Sequence, residues 1–88
     1  MSARVLVADD SSTMRKIILR SLSAVGVPSA VEAADGEEAI NLFEPGKFDL
    51  VLTDWNMPRK TGLDVIKEVR TQDKDVTIIM VTTEAEKS

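Results

Sequence analysis

Four short apolar runs, set apart by segments of helical length, restrict this chain more than any other feature. They are Val5-Leu6-Val7-Ala8, Ala30-Val31-Glu32-Ala33, Leu50-Val51-Leu52-Thr53 and the stretch from Val76 to Val81. The second is the weakest and the last the most apolar. Short, predominantly apolar runs without regular polar alternation suit parallel strands buried on both faces. The intervening segments read as amphipathic helices. Met14, Ile17, Ile18, Leu22 and Val25 keep helical spacing, with Arg15, Lys16 and Arg20 on the other side. Gly26 is a natural stop for that helix, and Pro28 lies just beyond it. Asp35 stands three residues before Glu38, a capping pattern that opens a helix through Ala39, Ile40 and Phe43. Thr61 can cap a third helix through Ile66 and Val69. The order β-α-β-α-β-α-β predicts one parallel sheet with helices on both faces.

At 88 residues the chain is long enough for one domain, residues 1–88, and not for two. A chain this short buries only about 60–65% of the surface its unfolded form exposes, so each element matters to the core. The net charge of −4 argues against nucleic acid or an anionic membrane as the direct partner, since either would need a basic face. No run approaches the ~20 apolar residues of a membrane span, and the N-terminus is too short for a signal peptide, so the cytoplasm is the expected compartment. The chain has no cysteine and no histidine. That excludes disulfides, zinc centres built on those residues, and a histidine acting as base or phosphate carrier. A metal bound here must be a hard cation held by oxygen.

In open α/β sheets, chemistry gathers beyond the carboxyl ends of the strands. Asp9 and Asp10 follow the first strand, Asp54 ends the third, and Thr82 and Thr83 follow the fourth. If the first, third and fourth strands are neighbours, these groups converge. Three carboxylates without nitrogen or sulfur ligands make a cavity suited to Mg²⁺, where a carboxylate can act as nucleophile and form an aspartyl phosphate. Each piece also has an ordinary reading: Asp9-Asp10 as a helix cap, Asp54 as a turn residue, Thr82 as a β-branched strand residue, Pro58 as a loop turn. From the residues alone both readings stand. Trp55, the single tryptophan, either packs the loop or lies partly exposed beside the site. Met14, Met57 and Met80 read as packing residues.

Four segments, in order and with consistent spacing, carry a resemblance. Val5-Leu6-Val7-Ala8-Asp9-Asp10-Ser11-Ser12-Thr13-Met14-Arg15, Ala34-Asp35-Gly36-Glu37-Glu38-Ala39, Thr53-Asp54-Trp55-Asn56-Met57-Pro58 with Gly62-Leu63, and Met80-Val81-Thr82-Thr83-Glu84-Ala85 resemble the receiver domains of response regulators in their CheY-like form. The resemblance implies a flavodoxin-like, doubly wound parallel sheet with strand order 2-1-3-4 and a role in two-component signalling of a chemotaxis-like kind. It implies that Asp54 accepts the phosphoryl group. Mg²⁺ would be held by the side chains of Asp10 and Asp54, by the backbone carbonyl of Asn56, and by Asp9 through water. Thr82 would be the switch hydroxyl, and Glu84 would lie on the signalling face. The donor would be a phosphohistidine on a sensor histidine kinase or a small acyl phosphate, and a downstream protein would read the altered surface. Such a module catalyses at most its own phosphorylation and dephosphorylation.

A complete receiver has five βα units, and its fifth strand carries a lysine that contacts the phosphoryl group. The 88 residues match the first four strands, with Lys87 falling at the start of the fourth helix. The expectation is a fold truncated after the fourth strand, with an apolar open edge that self-associates. The alternative function is a truncated or engineered flavodoxin-like fragment without phosphotransfer. A phosphohydrolase with its nucleophile on the first strand would resemble Asp-x-Asp there, and the chain has Asp9-Asp10-Ser11-Ser12 instead.

Overall fold

The structure, a computed structural model, describes residues 3–81. β1 is Val5–Ala8 and α1 is Ser12–Ala24; β2 is Val31–Ala33 and α2 is Gly36–Leu42; β3 is Leu50–Asp54, α3 is Gly62–Gln72 and β4 is Thr77–Val81. The strand limits differ from the sequence reading by a residue. β2 starts at Val31 rather than Ala30, β3 takes in Asp54, and Val76 sits buried just ahead of β4. All pairings are parallel and the strand order is β2-β1-β3-β4, as the family resemblance implied. In register, Leu6 faces Val31 on one side and Val51 on the other, and Asp54 faces Val81.

Strand alternation divides the core into two layers. Leu6, Ala8 and Val51 pack with Ala39 from α2, Phe43 just past its end, and Val65 and Val69 from α3. Val5, Val7 and Leu52 face the other way, toward Ile18 and Leu22 of α1. Helices therefore cover both faces, as the βα alternation predicts.

The helix ends follow from local chemistry. Ser11, not Asp9 or Asp10, caps α1, its hydroxyl accepting the Met14 N–H at 3.2 Å. Gly26 adopts φ 97° just past the helix, the left-handed stop its position predicts. Asp35 caps α2 through the Glu38 N–H at 2.8 Å, while the Glu38 carboxylate accepts from Ala34 N at 2.7 Å. Thr61 and Asp64 form a full capping box on α3. Ile17 is exposed and Val25, also exposed, falls past the helix as its C-cap, so the apolar stripe of α1 is narrower and shorter than its spacing suggested. Among the described residues no helix is long and apolar enough to cross a membrane.

Candidate functional site

The carboxyl ends of β1 and β3 lie side by side because these strands pair in parallel, Ala8 opposite Thr53. That register sets Asp9, one residue past β1, against Asp54, the last residue of β3. Asp9 and Asp54 are buried and Asp10 is exposed, and each offers a carboxylate oxygen within 4.8 Å of the other two. The cap and turn readings of these aspartates thus give way to a cluster formed across two strands.

Each buried carboxylate is held by local donors. Asp9 Oδ1 accepts the Ser11 N–H at 2.9 Å, and the Asp9 N–H extends the ladder to the Ala33 carbonyl at 3.1 Å. Asp54 Oδ1 accepts the Trp55 N–H at 2.8 Å, and the buried Thr53 hydroxyl donates to the Asp54 carbonyl at 3.1 Å. Two like charges at such separations repel by about 3 kcal/mol at an effective dielectric near 20. The Ser11 and Trp55 N–H groups orient the two buried carboxylates, and a bound cation would complement the charge of the cluster.

The donor set fits such a cation. Opposite oxygens on one Mg²⁺ lie about 4.1 Å apart, twice a bond of about 2.05 Å. The three carboxylate oxygens, within 4.8 Å of one another, are near that spacing. With oxygen as the sole donor type, hard cations are favoured over Zn²⁺ or Cu²⁺.

Beyond Asp54 the chain enters a tight loop. The Gly62 N–H donates to the Trp55 carbonyl at 2.9 Å, drawing the two ends of the loop together. A Cβ on Gly62 would overlap the Asp54 carbonyl oxygen, so only glycine allows α3 to start this close to the site. Trp55 is 48% exposed, which decides its reading in favour of a residue beside the site rather than one packing the loop. Asn56 lies next to it, exposed; Met57 turns into the core. Thr82 lies outside the described residues, as do Thr83, Glu84 and Lys87.

One participant escaped the sequence reading. Arg15 belongs to the side of α1 assigned to solvent, yet its side chain is only 16% exposed. Its Nη1 donates to the Asp9 carbonyl at 2.6 Å and its Nε pairs with Glu32 Oε1 at 3.0 Å. It ties α1, the β1 end and β2 together directly behind the carboxylates.

Comparison with known proteins agrees with this geometry. The family profile described as "Response regulator receiver domain" matches residues 5–88. Chemotaxis protein CheY of Pseudomonas aeruginosa is 42% identical over 86 residues, covering 96% of this chain and 69% of that protein. Chemotaxis protein CheY1 of Helicobacter pylori is 47% identical over 88 residues, covering 97% of this chain and 71% of that protein. The chain thus spans about seven tenths of the length of these relatives. The response regulator protein TrrA of Thermotoga maritima, solved in complex with Mg²⁺-BeF, superimposes with a TM-score of 0.85 at 39% identity, covering 93% of this chain and 70% of that one.

Proposed function

The chain belongs to the response regulator receiver domain family, in its CheY-like form, and from that premise we propose that it is a Mg²⁺-dependent phosphoryl acceptor of two-component signalling, with Asp54 as the residue modified. The observation that carries this reading is the cluster of Asp9, Asp10 and Asp54, gathered from two strand ends within 4.8 Å. The side chains of Asp10 and Asp54, the backbone carbonyl of Asn56, and Asp9 through water would hold the ion. Mg²⁺ bound there supplies charge neutralisation for the phosphoryl oxygens.

The chain's own residues account for the rest. An Asp54 carboxylate oxygen attacks phosphorus. The bond from phosphorus to the donor's imidazole nitrogen, or to the oxygen of an acyl phosphate, breaks, and the leaving group keeps that electron pair. The Trp55 N–H fixes the rotation of the Asp54 carboxylate before attack. The Gly62 contact fixes its backbone. Thr82 serves as the switch hydroxyl toward the acyl phosphate. The donor is a sensor histidine kinase, the reader is a downstream protein, and the compartment is the cytoplasm. Nucleic acid and membrane do not bind this domain, in keeping with its net charge of −4.

The test is incubation with acetyl phosphate and Mg²⁺ followed by intact mass measurement. The expected result is one added phosphoryl group, absent in Asp54→Asn and absent without Mg²⁺. An unmodified wild-type chain under conditions that modify a CheY control would overturn the reading. Self-association is a separate proposal, supported by Ile79 of β4, the outermost strand among the described residues, being 47% exposed; a monomer in sedimentation at micromolar concentration would refute it.

A further inference from the structure

The loop that follows Asp54 is fastened at a second place, away from the carboxylates. Lys60 lies so close to the start of α2 that a Cβ on Gly36 would overlap the Lys60 carbonyl oxygen. Next to that contact, Arg59 Nε pairs with Asp35 Oδ2 at 3.3 Å and Arg59 Nη1 with Glu37 Oε1 at 3.8 Å. Arg59 holds this position at φ 71°, among the described residues the one non-glycine in the left-handed region. An unbranched cationic side chain gains nothing locally from that backbone conformation, which is unfavourable for residues with a Cβ. The conformation does aim the guanidinium back across the loop to the acidic start of α2.

Three contacts link this fastening to the site. The Lys60 N–H donates to the Pro58 carbonyl at 2.8 Å, and the Gly62 N–H to the Trp55 carbonyl at 2.9 Å, so the loop is braced internally. The Trp55 N–H then holds Asp54 Oδ1. A continuous chain of contacts thus runs from residues 59–60 to the carboxylate of Asp54. We propose that Arg59 is a positioning residue: its ion pairs with Asp35 and Glu37 clasp the loop of residues 55–61 to α2 and thereby keep Asp54 in register with Asp9 and Asp10. The inference deepens the metal reading and rests on it for its effect on Mg²⁺ binding, though not for the clasp itself.

The test uses the full chain in three forms: wild type, Arg59→Asn and Arg59→Lys. Asparagine tolerates the left-handed backbone but carries no charge, whereas lysine keeps the charge. Two quantities are read: half-saturation by Mg²⁺ from Trp55 fluorescence, and amide exchange at Trp55 and Gly62 in metal-free protein. Exposed ion pairs have modest effects, so Arg59→Asn should raise the Mg²⁺ half-saturation about two- to fivefold and speed exchange at both amides by a similar factor. Arg59→Lys should recover part of each change. Exchange at the buried Val51 and Val65 should not move, which separates positioning from general loosening. Equal Mg²⁺ binding and equal exchange in wild type and Arg59→Asn would overturn the clasp. A wild type that does not respond to Mg²⁺ would overturn the metal reading instead, and the exchange comparison would then decide the clasp alone.

Discussion

The two faces of the sheet are built to different standards. On one, α2 buries Gly36 and Ala39, α3 buries Gly62, Val65 and Val69, and Phe43 stacks on Phe48 with ring centroids 5.8 Å apart. On the other, Val5, Val7 and Leu52 are buried, yet the 13-residue α1 that covers them has no buried residue of its own and packs through the partly buried Ile18 and Leu22. The difference teaches where each kind of work is located. The α2/α3 face supplies cohesion and fixes the Asp54 loop from below. α1 covers the other layer with side chains that stay partly exposed, and it adds Arg15, which reaches the Asp9 carbonyl.

Substitutions that empty each face give the largest contrast. Phe43→Ala should cost about 3–5 kcal/mol in urea unfolding, because it leaves a cavity in the better-packed layer. Leu22→Ala should cost about 1–2 kcal/mol, since that side chain is only partly buried. Equal losses would break the comparison. Arg15→Ala should follow at about 1–2 kcal/mol despite the small apolar area removed, because it strips a charged donor from a buried carbonyl and a partner from Glu32. A loss no larger than that of Lys16→Ala, an exposed neighbour, would show that Arg15 does not tie the elements together.

A smaller effect should appear in acid. Backbone N–H donation from Thr61 holds the Asp64 carboxyl below the usual carboxylate range, and N–H groups of Asp75, Gly46 and Val76 do the same for Asp73. These residues bracket α3, whereas α1 has no acidic residue in its first turn and no basic one in its last. Carboxylates with lowered folded-state pKa stabilise the fold above their unfolded value and lose that contribution as pH falls through the folded one. Amides at both ends of α3 should therefore lose exchange protection below about pH 4, while those of α1 change less. Asp49, held down by the Arg4 side chain at the opposite end of the sheet, should contribute in the same window. Acid loss that begins in α1 would reverse the assignment.

Most of the architecture was legible because its causes are local. Apolar runs, the Asp35 and Thr61 caps and the Gly26 stop each depend on a few adjacent residues. The convergence of Asp9, Asp10 and Asp54 was legible because parallel βα order carries strand ends to one edge. Three features were not. The capping role went to Ser11, which left Asp9 available to the site although all three residues had the right chemistry. Arg15 pairs with Glu32, 17 residues away, so its helical position alone gave the wrong side. The need for glycine at 36 comes from Lys60, 24 residues later, and looks in sequence like part of an ordinary helix start.

The most direct test of the account is Trp55 fluorescence during Mg²⁺ titration of the wild type and of Asp54→Asn, with folding checked by circular dichroism. The account predicts a saturable change fitting one ion in the wild type, weakened at least about tenfold in Asp54→Asn through loss of one ligand charge. A folded wild type without response, or one titrating identically to Asp54→Asn, would contradict it.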